Sequence, residues 1–144
     1  QCGEKNRSAA DEAWQGSQFS QCQRDDFIDD MATAYAWADV VIARAGALTV
    51  SELAATGTPS ILIPLPHAID DHQTRNAQVL AETGGAVIVA QSEATPERVA
   101  ERLEQWIQSP ASLLEMARRS LGMITANATD EVVAILTEVA HAND

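Results

Sequence analysis

Two apolar, β-branched runs, Val40-Val41-Ile42 and Ser60-Ile61-Leu62-Ile63, stand one helix-length segment apart, and this spacing constrains the chain more than any other feature. Continuous apolar runs of that length are the composition of strands buried on both faces. Joined through a single helix they make a βαβ unit, with parallel strands and a right-handed crossover. The first run feeds directly into Ala45-Gly46-Ala47, whose side chains are too small to keep a ligand off the backbone. Leu48 to Ala55 then reads as a helix, stopped by Gly57 with Pro59 just beyond. A third run, Ala86-Val87-Ile88-Val89, supplies another buried strand. It is reached through a loop from Pro64 to Asp70 and a helix through Asn76, Leu80 and Glu82. Asp70 or Asp71 would cap that helix, and Gly84-Gly85 would end it. The expected class is α/β, a Rossmann-like parallel sheet flanked by helices.

The flanking regions are read in the same way. A helix is expected around Ala9 to Trp14, with strand ends at Gln1-Cys2-Gly3 and Asp26-Phe27-Ile28. Asp29 and Asp30 offer an N-cap for a helix through Met31, Ala34, Tyr35 and Trp37. Thr95-Pro96-Glu97 is a strong helix start, with Val99, Leu103, Trp106 and Ile107 sharing one face. Ser109-Pro110 opens a helix lined by Leu114, Ala117, Leu121 and Ile124. Thr129 or Asp130 caps a last one carrying Val132, Ile135, Leu136 and Val139. These three helices are expected to cover the sheet. Trp14, Trp37 and Trp106 read as core or half-buried packing.

At 144 residues the chain suffices for one domain with a real core, residues 1–144, and not for two domains with a cleft between them. A formal charge of −12 argues against a nucleic-acid partner and against docking on anionic lipid. No apolar run reaches the length of a membrane span. Cys2 and Cys22 form neither a metal-type spacing nor a disulfide framework, so a cytoplasmic, reducing setting is expected. A first residue Gln1 rather than Met, within what reads as an element, suggests an N-terminally truncated fragment of a longer protein.

The candidate chemistry gathers at two helix starts. A strand entering a glycine turn and a helix aims unpaired N–H groups and partial positive charge at one point, a ready site for a phosphate. Glu52, within the first turns of that helix, could hydrogen-bond the hydroxyls of a ribose, or could instead cap an orphan N–H. Arg44 could reach a phosphate or pair with a surface carboxylate. The second cluster, Asp70-Asp71-His72-Gln73 with Asn76 one turn on, is rich in donors and acceptors suited to sugar hydroxyls and acetamido groups. It could equally be a well-capped, solvated helix start. His67, Asp70, Asp71 and His72 can be drawn as a metal site, but the spacing fits no known zinc pattern, and no metal or cofactor is expected. His72 as a general base has no visible partner. Asn127-Ala128-Thr129 matches a glycosylation sequon without any sign of secretion, and His141 reads as solvated.

The stretch FIDDMATAYAWADVVIARAGALTVSELAATGTPSILIPLPHAIDDHQTRNA, and the chain onward through Gly84-Gly85-Ala86 and Thr95-Pro96, closely resembles one family. It is similar to the C-terminal half of the bacterial glycosyltransferases that move N-acetylglucosamine from UDP-GlcNAc to undecaprenyl-diphosphate-linked muramoyl-pentapeptide. The signature is Arg44 to Glu52 followed by Asp71-His72-Gln73 and Asn76.

The resemblance implies the C-terminal half of a GT-B enzyme, in which two Rossmann-like domains face each other and the C-terminal one holds the donor. It assigns the uracil to the backbone at Ile28. The diphosphate falls to the turn and helix start at Gly46, Ala47, Leu48, Thr49, Val50 and Ser51, and the ribose to Glu52. His72 and Gln73 are assigned the GlcNAc hydroxyls, with Asn76 nearby. Some relatives carry Gln at His72 and Ser at Ala45, so those contacts differ here. The family is inverting, holds no metal on protein residues, and places acceptor binding, membrane association and the proposed general base in its N-terminal domain. The resemblance therefore implies no catalytic residue in this chain, no transfer by this chain alone, and a place at the inner face of the cell membrane for the full-length enzyme. The alternatives left open are a stand-alone UDP-sugar binding module and a UDP-sugar transferase with another acceptor.

Overall fold

The computed structural model describes residues 1–15, 22–66, 71–123 and 133. The chain divides into two compact units, residues 1–37 and residues 38–144.

In the first unit, a 3₁₀ turn at Glu4–Asn6 leads into helix α1, Arg7–Trp14, and helix α2 follows at Met31–Trp37. The α1 helix starts earlier than the apolar pattern suggested, at Arg7, whose guanidinium meets Asp11 one turn on at 3.2 Å. The expected strand ends at Gln1–Gly3 and Asp26–Ile28 are not strands. Two backbone bonds join these segments, from the Cys2 N–H to the Asp25 carbonyl at 3.1 Å and from the Gly3 N–H to the Asp26 carbonyl at 3.0 Å. That is too few to make a ladder. Asp30 caps α2 as expected, accepting the Thr33 N–H at 3.0 Å and the Thr33 hydroxyl at 2.6 Å. Trp37, expected to pack, is 85% exposed; the buried aromatic of this helix is Tyr35, two positions earlier.

The second unit is built on three parallel strands in the order β1-β2-β3, at Val41–Ala43, Ser60–Leu62 and Ala86–Ile88. The register pairs Ile42 with Ile61 and Ile61 with Val87. The strands are short because proline brackets the central one. Pro59 lends only its carbonyl, to the Val41 N–H, and Pro64 has no N–H to extend the ladder. Helix α3, Ala47–Thr56, connects β1 to β2, and α4, His72–Glu82, connects β2 to β3. Their buried residues are Val50, Leu53 and Ala54 on α3, and Ala77 and Leu80 on α4.

Helices α5, Pro96–Gln108, and α6, Pro110–Leu121, follow β3. Ile61, Val89 and Trp106 form a core cluster against which Val99 and Leu103 of α5 and Leu113 and Met116 of α6 pack. Thr95 caps α5 as its sequence announces, accepting the Arg98 N–H at 3.3 Å, with Pro96 at the first helical position. Two expected faces are corrected. Ile107 is 74% exposed, because the stripe of α5 is centred on Val99, Leu103 and Trp106. On α6 the inward residues are Leu113, Met116 and Ser120 rather than Leu114, which is 53% exposed. Ile124, the last predicted helix apart from Val133, the sequon and His141 lie outside the described residues.

The far end of α6 closes the amino-terminal edge of the sheet. The buried Ser120 donates its hydroxyl to the Leu53 carbonyl at 3.2 Å. A methyl group at Gly57 would stand 2.5 Å from Leu121 Cγ, and one at Gly85 would stand 2.9 Å from Ser120 Cβ. The loops that precede β2 and β3 are therefore gripped by a helix. The opposite edge of the sheet carries the polar residues.

Candidate functional site

All three strands deliver their carboxyl ends to one edge, which is where a parallel sheet brings loops together around a ligand. Beyond β1 come Arg44, the fully buried Ala45 and then Gly46, the N-cap of α3. Gly46 has φ −63° and ψ 148°, a backbone any residue adopts, and a methyl there would meet only the Thr49 hydroxyl oxygen at an ordinary 3.6 Å. Neither conformation nor packing requires glycine. No side chain caps this helix start. Helix geometry leaves the N–H groups of Ala47, Leu48 and Thr49 without intrahelical partners, whereas the Val50 N–H is taken by the Gly46 carbonyl at 3.0 Å. The absence of a side chain at Gly46 keeps the approach to these amides open, and the helix dipole adds positive potential at the same point.

The structure places the sequence-singled residues of α3 on two sides. Ala47, Leu48, Ser51 and Glu52 are exposed and Thr49 is half-buried, while the Val50 side chain is 5% exposed and belongs to the core. Glu52, just beyond the first turn, stands on the outer side of the helix and also interacts within the protein.

On the second wall, Asp71 holds the N-cap position of α4 in the left-handed region at φ 54°, and its side chain makes no cap bond to the backbone but accepts the Thr74 hydroxyl at 2.6 Å. Aspartate tolerates that region better than most residues. His72 is exposed at the first helical position. The Gln73 side-chain oxygen accepts the Leu65 N–H at 2.9 Å, so its NH₂ group points elsewhere. Asn76 donates from Nδ2 to the Ala45 carbonyl at 3.1 Å. This contact ties α4 to the residue immediately before the Gly46 turn, bringing the two predicted clusters into one site. His67 and Asp70, two of the four residues drawn as a metal alternative, lie outside the described residues. Ile28 belongs to the first unit, half-buried in a segment without regular structure.

Among the described residues Arg44 pairs with no surface carboxylate. It donates from Nη1 to the Ile63 carbonyl at 3.1 Å, the Pro64 carbonyl at 3.4 Å and the Gln91 side-chain oxygen at 2.7 Å. Sequence reasoning passed over Gln91. The available signal was its place just after the third apolar run, at the same edge as Arg44 and Pro64.

The glycosyltransferase family 28 C-terminal domain model matches residues 1–132. The chain is 54% identical over 84% of its length to a UDP-N-acetylglucosamine--N-acetylmuramyl-(pentapeptide) pyrophosphoryl-undecaprenol N-acetylglucosamine transferase of Pseudomonas putida (strain W619). It is 47% identical over 98% of its length to the enzyme of the same name from Marinobacter nauticus. It spans 34% and 39% of those two relatives. Among solved structures, Acinetobacter baumannii MurG superposes with a TM-score of 0.84 at 41% identity, over 96% of this chain and 42% of that one. The glycosyltransferase VinC, solved with dTDP, superposes at 0.65 with 20% identity, over 93% of this chain and 33% of that one, a likeness of fold.

Proposed function

The chain belongs to the glycosyltransferase family 28 C-terminal domains, and from that premise we propose that residues 1–144 are the donor-binding domain of a peptidoglycan glycosyltransferase. The donor is UDP-GlcNAc, and the whole enzyme transfers GlcNAc with inversion to a lipid-linked muramoyl-pentapeptide held by its N-terminal domain. The full-length enzyme works in the cytoplasm, peripheral on the inner face of the membrane; among the described residues no helix is long and apolar enough to cross one. No nucleic acid and no cofactor take part.

The observation that carries this reading is the uncapped start of α3, with a glycine that the fold does not need. The diphosphate lies on the Gly46 turn and the N–H groups of Ala47, Leu48 and Thr49, and the ribose hydroxyls meet Glu52. His72 and Gln73 face the sugar, where Gln73 contributes its NH₂ while its oxygen holds Leu65. Asn76 supports the site through Ala45. As the sugar departs, negative charge grows on the UDP leaving group. Fixed amides and the helix dipole stabilise that charge with no reorganisation at the moment of reaction.

Titration calorimetry with UDP, UDP-GlcNAc and UDP-glucose tests the proposal. UDP and UDP-GlcNAc are expected to bind, and Glu52→Ala to weaken both by about tenfold, the loss of hydrogen bonds to a charged acceptor. Failure of the chain to bind any uridine nucleotide would refute the assignment. Equal affinity for UDP-glucose would leave the nucleotide site standing and remove the amino-sugar preference.

A further inference from the structure

One guanidinium joins the carboxyl ends of all three strands. Arg44 directly follows β1, Ile63 and Pro64 follow β2, and Gln91 lies three residues beyond β3. All three bonds leave from Nη1, which has two hydrogens for three acceptors. The 2.7 Å bond to Gln91 is the shortest, so it occupies one hydrogen and leaves the other to be shared between the two carbonyls. Gln91 thus decides where along the β2 exit the guanidinium settles. Gln91 is itself exposed, so the bond fills no core space. Arg44 in turn is two residues from the N-cap of α3, and the intervening Ala45 is fixed by Asn76 on its carbonyl. A displacement of Arg44 can therefore reach Gly46 through the main chain, with Ala45 as the pivot.

We propose that Gln91 is a positioning residue, acting through Arg44 to hold the amides at the start of α3 in the geometry that receives a nucleoside diphosphate. The proposal rests on the reading of that helix start as the diphosphate site. It adds a residue from the third strand's exit, which makes no contact with α3 of its own among the hydrogen bonds described. The physical logic is preorganisation. Donors held in place by neighbours lose less freedom when the anion arrives, so loss of the brace lowers affinity without unfolding the domain.

The test uses the whole chain and two replacements at one exposed position. Gln91→Met keeps the length and removes the acceptor, while Gln91→Glu keeps an acceptor and pairs it with Arg44. Calorimetry with UDP is expected to show about fivefold weaker binding for Gln91→Met and near-native binding for Gln91→Glu. Melting temperatures of both are expected within about 2 °C of the parent, as for an exposed site. In the unliganded protein, the amide resonances of Gly46 and Ala47 are expected to move in Gln91→Met and those of α5 to stay. Unchanged UDP affinity in Gln91→Met would overturn the proposal. So would a loss of affinity that tracks a fall in melting temperature and is not rescued by Gln91→Glu. Absence of UDP binding in the parent chain would overturn the functional reading first and this one with it, whereas a binding parent with an indifferent Gln91→Met sinks this one alone.

Discussion

Gly46 shows how a single position can be read for function by removing its structural excuses. A strand-to-helix turn ordinarily justifies its glycine by a positive φ or a close contact, and here there is neither. Its extended backbone is the one an N-cap residue adopts, and Asp or Ser would cap the helix better. Gly46→Asp is accordingly expected to leave folding stability unchanged or raise it by up to about 1 kcal/mol, through a cap bond and the dipole. The same carboxylate would occupy the amides and repel a diphosphate, so UDP affinity should fall by more than about tenfold. Denaturant melts paired with calorimetry check both halves. Stabilised protein that still binds UDP would show that the ligand sits elsewhere. The sequence disclosed this turn and its small residues. It could not disclose that the glycine is dispensable to the fold, since that depends on φ and on what surrounds an absent Cβ. Nor could it reveal Arg44 turning to carbonyls, because backbone acceptors carry no residue code.

The elements were largely legible, because they announce themselves locally. Three apolar runs gave three strands, and Thr95-Pro96 and Asp30 began their helices as written. What misled was helix facing. Leu114 and Ile107 are as apolar as their neighbours, but a few tens of degrees of rotation about the axis decides which meets the sheet. The strand ends expected at Gly3 and Phe27 failed for a related reason, since a strand exists only with a ladder, and two bonds do not make one. The α2 cap makes an element-scale prediction in pH. The Thr33 hydroxyl first, and its N–H second, hold the Asp30 carboxyl below the usual aspartate range. Its folded value therefore lies under its unfolded value. The stabilisation it gives α2 is fully present above about pH 4 and is lost as pH falls through the lowered folded value. Proton–deuterium exchange of the Thr33 amide should accelerate over that acid window relative to the intrinsic rate, and Asp30→Asn should flatten the profile. A profile that is flat in the parent chain would show that the cap does not form.

At the scale of the whole second unit, the two edges of the sheet have been given different jobs. The amino-terminal edge is sealed by α6, whose Leu121 and Ser120 fill the space that a Cβ at Gly57 or Gly85 would need. Gly57 also holds φ 66°. Gly57→Ala is therefore expected to cost about 2 kcal/mol of stability, from left-handed strain plus the push against Leu121, and to leave UDP affinity at native temperature nearly untouched. A denaturation midpoint unchanged by the substitution would mean that α6 does not rest on this turn. The carboxyl-terminal edge is held by a handful of polar side chains, and most of what they grasp is main chain: the carbonyls of Ala45, Ile63 and Pro64, and the N–H of Leu65. A brace that grips peptide groups is indifferent to the side chains those peptides bear. Rim positions such as Leu65 are then open to exchange by drift or by design, and a lineage built on this frame can alter what it recognises while inheriting its anchoring hardware unchanged.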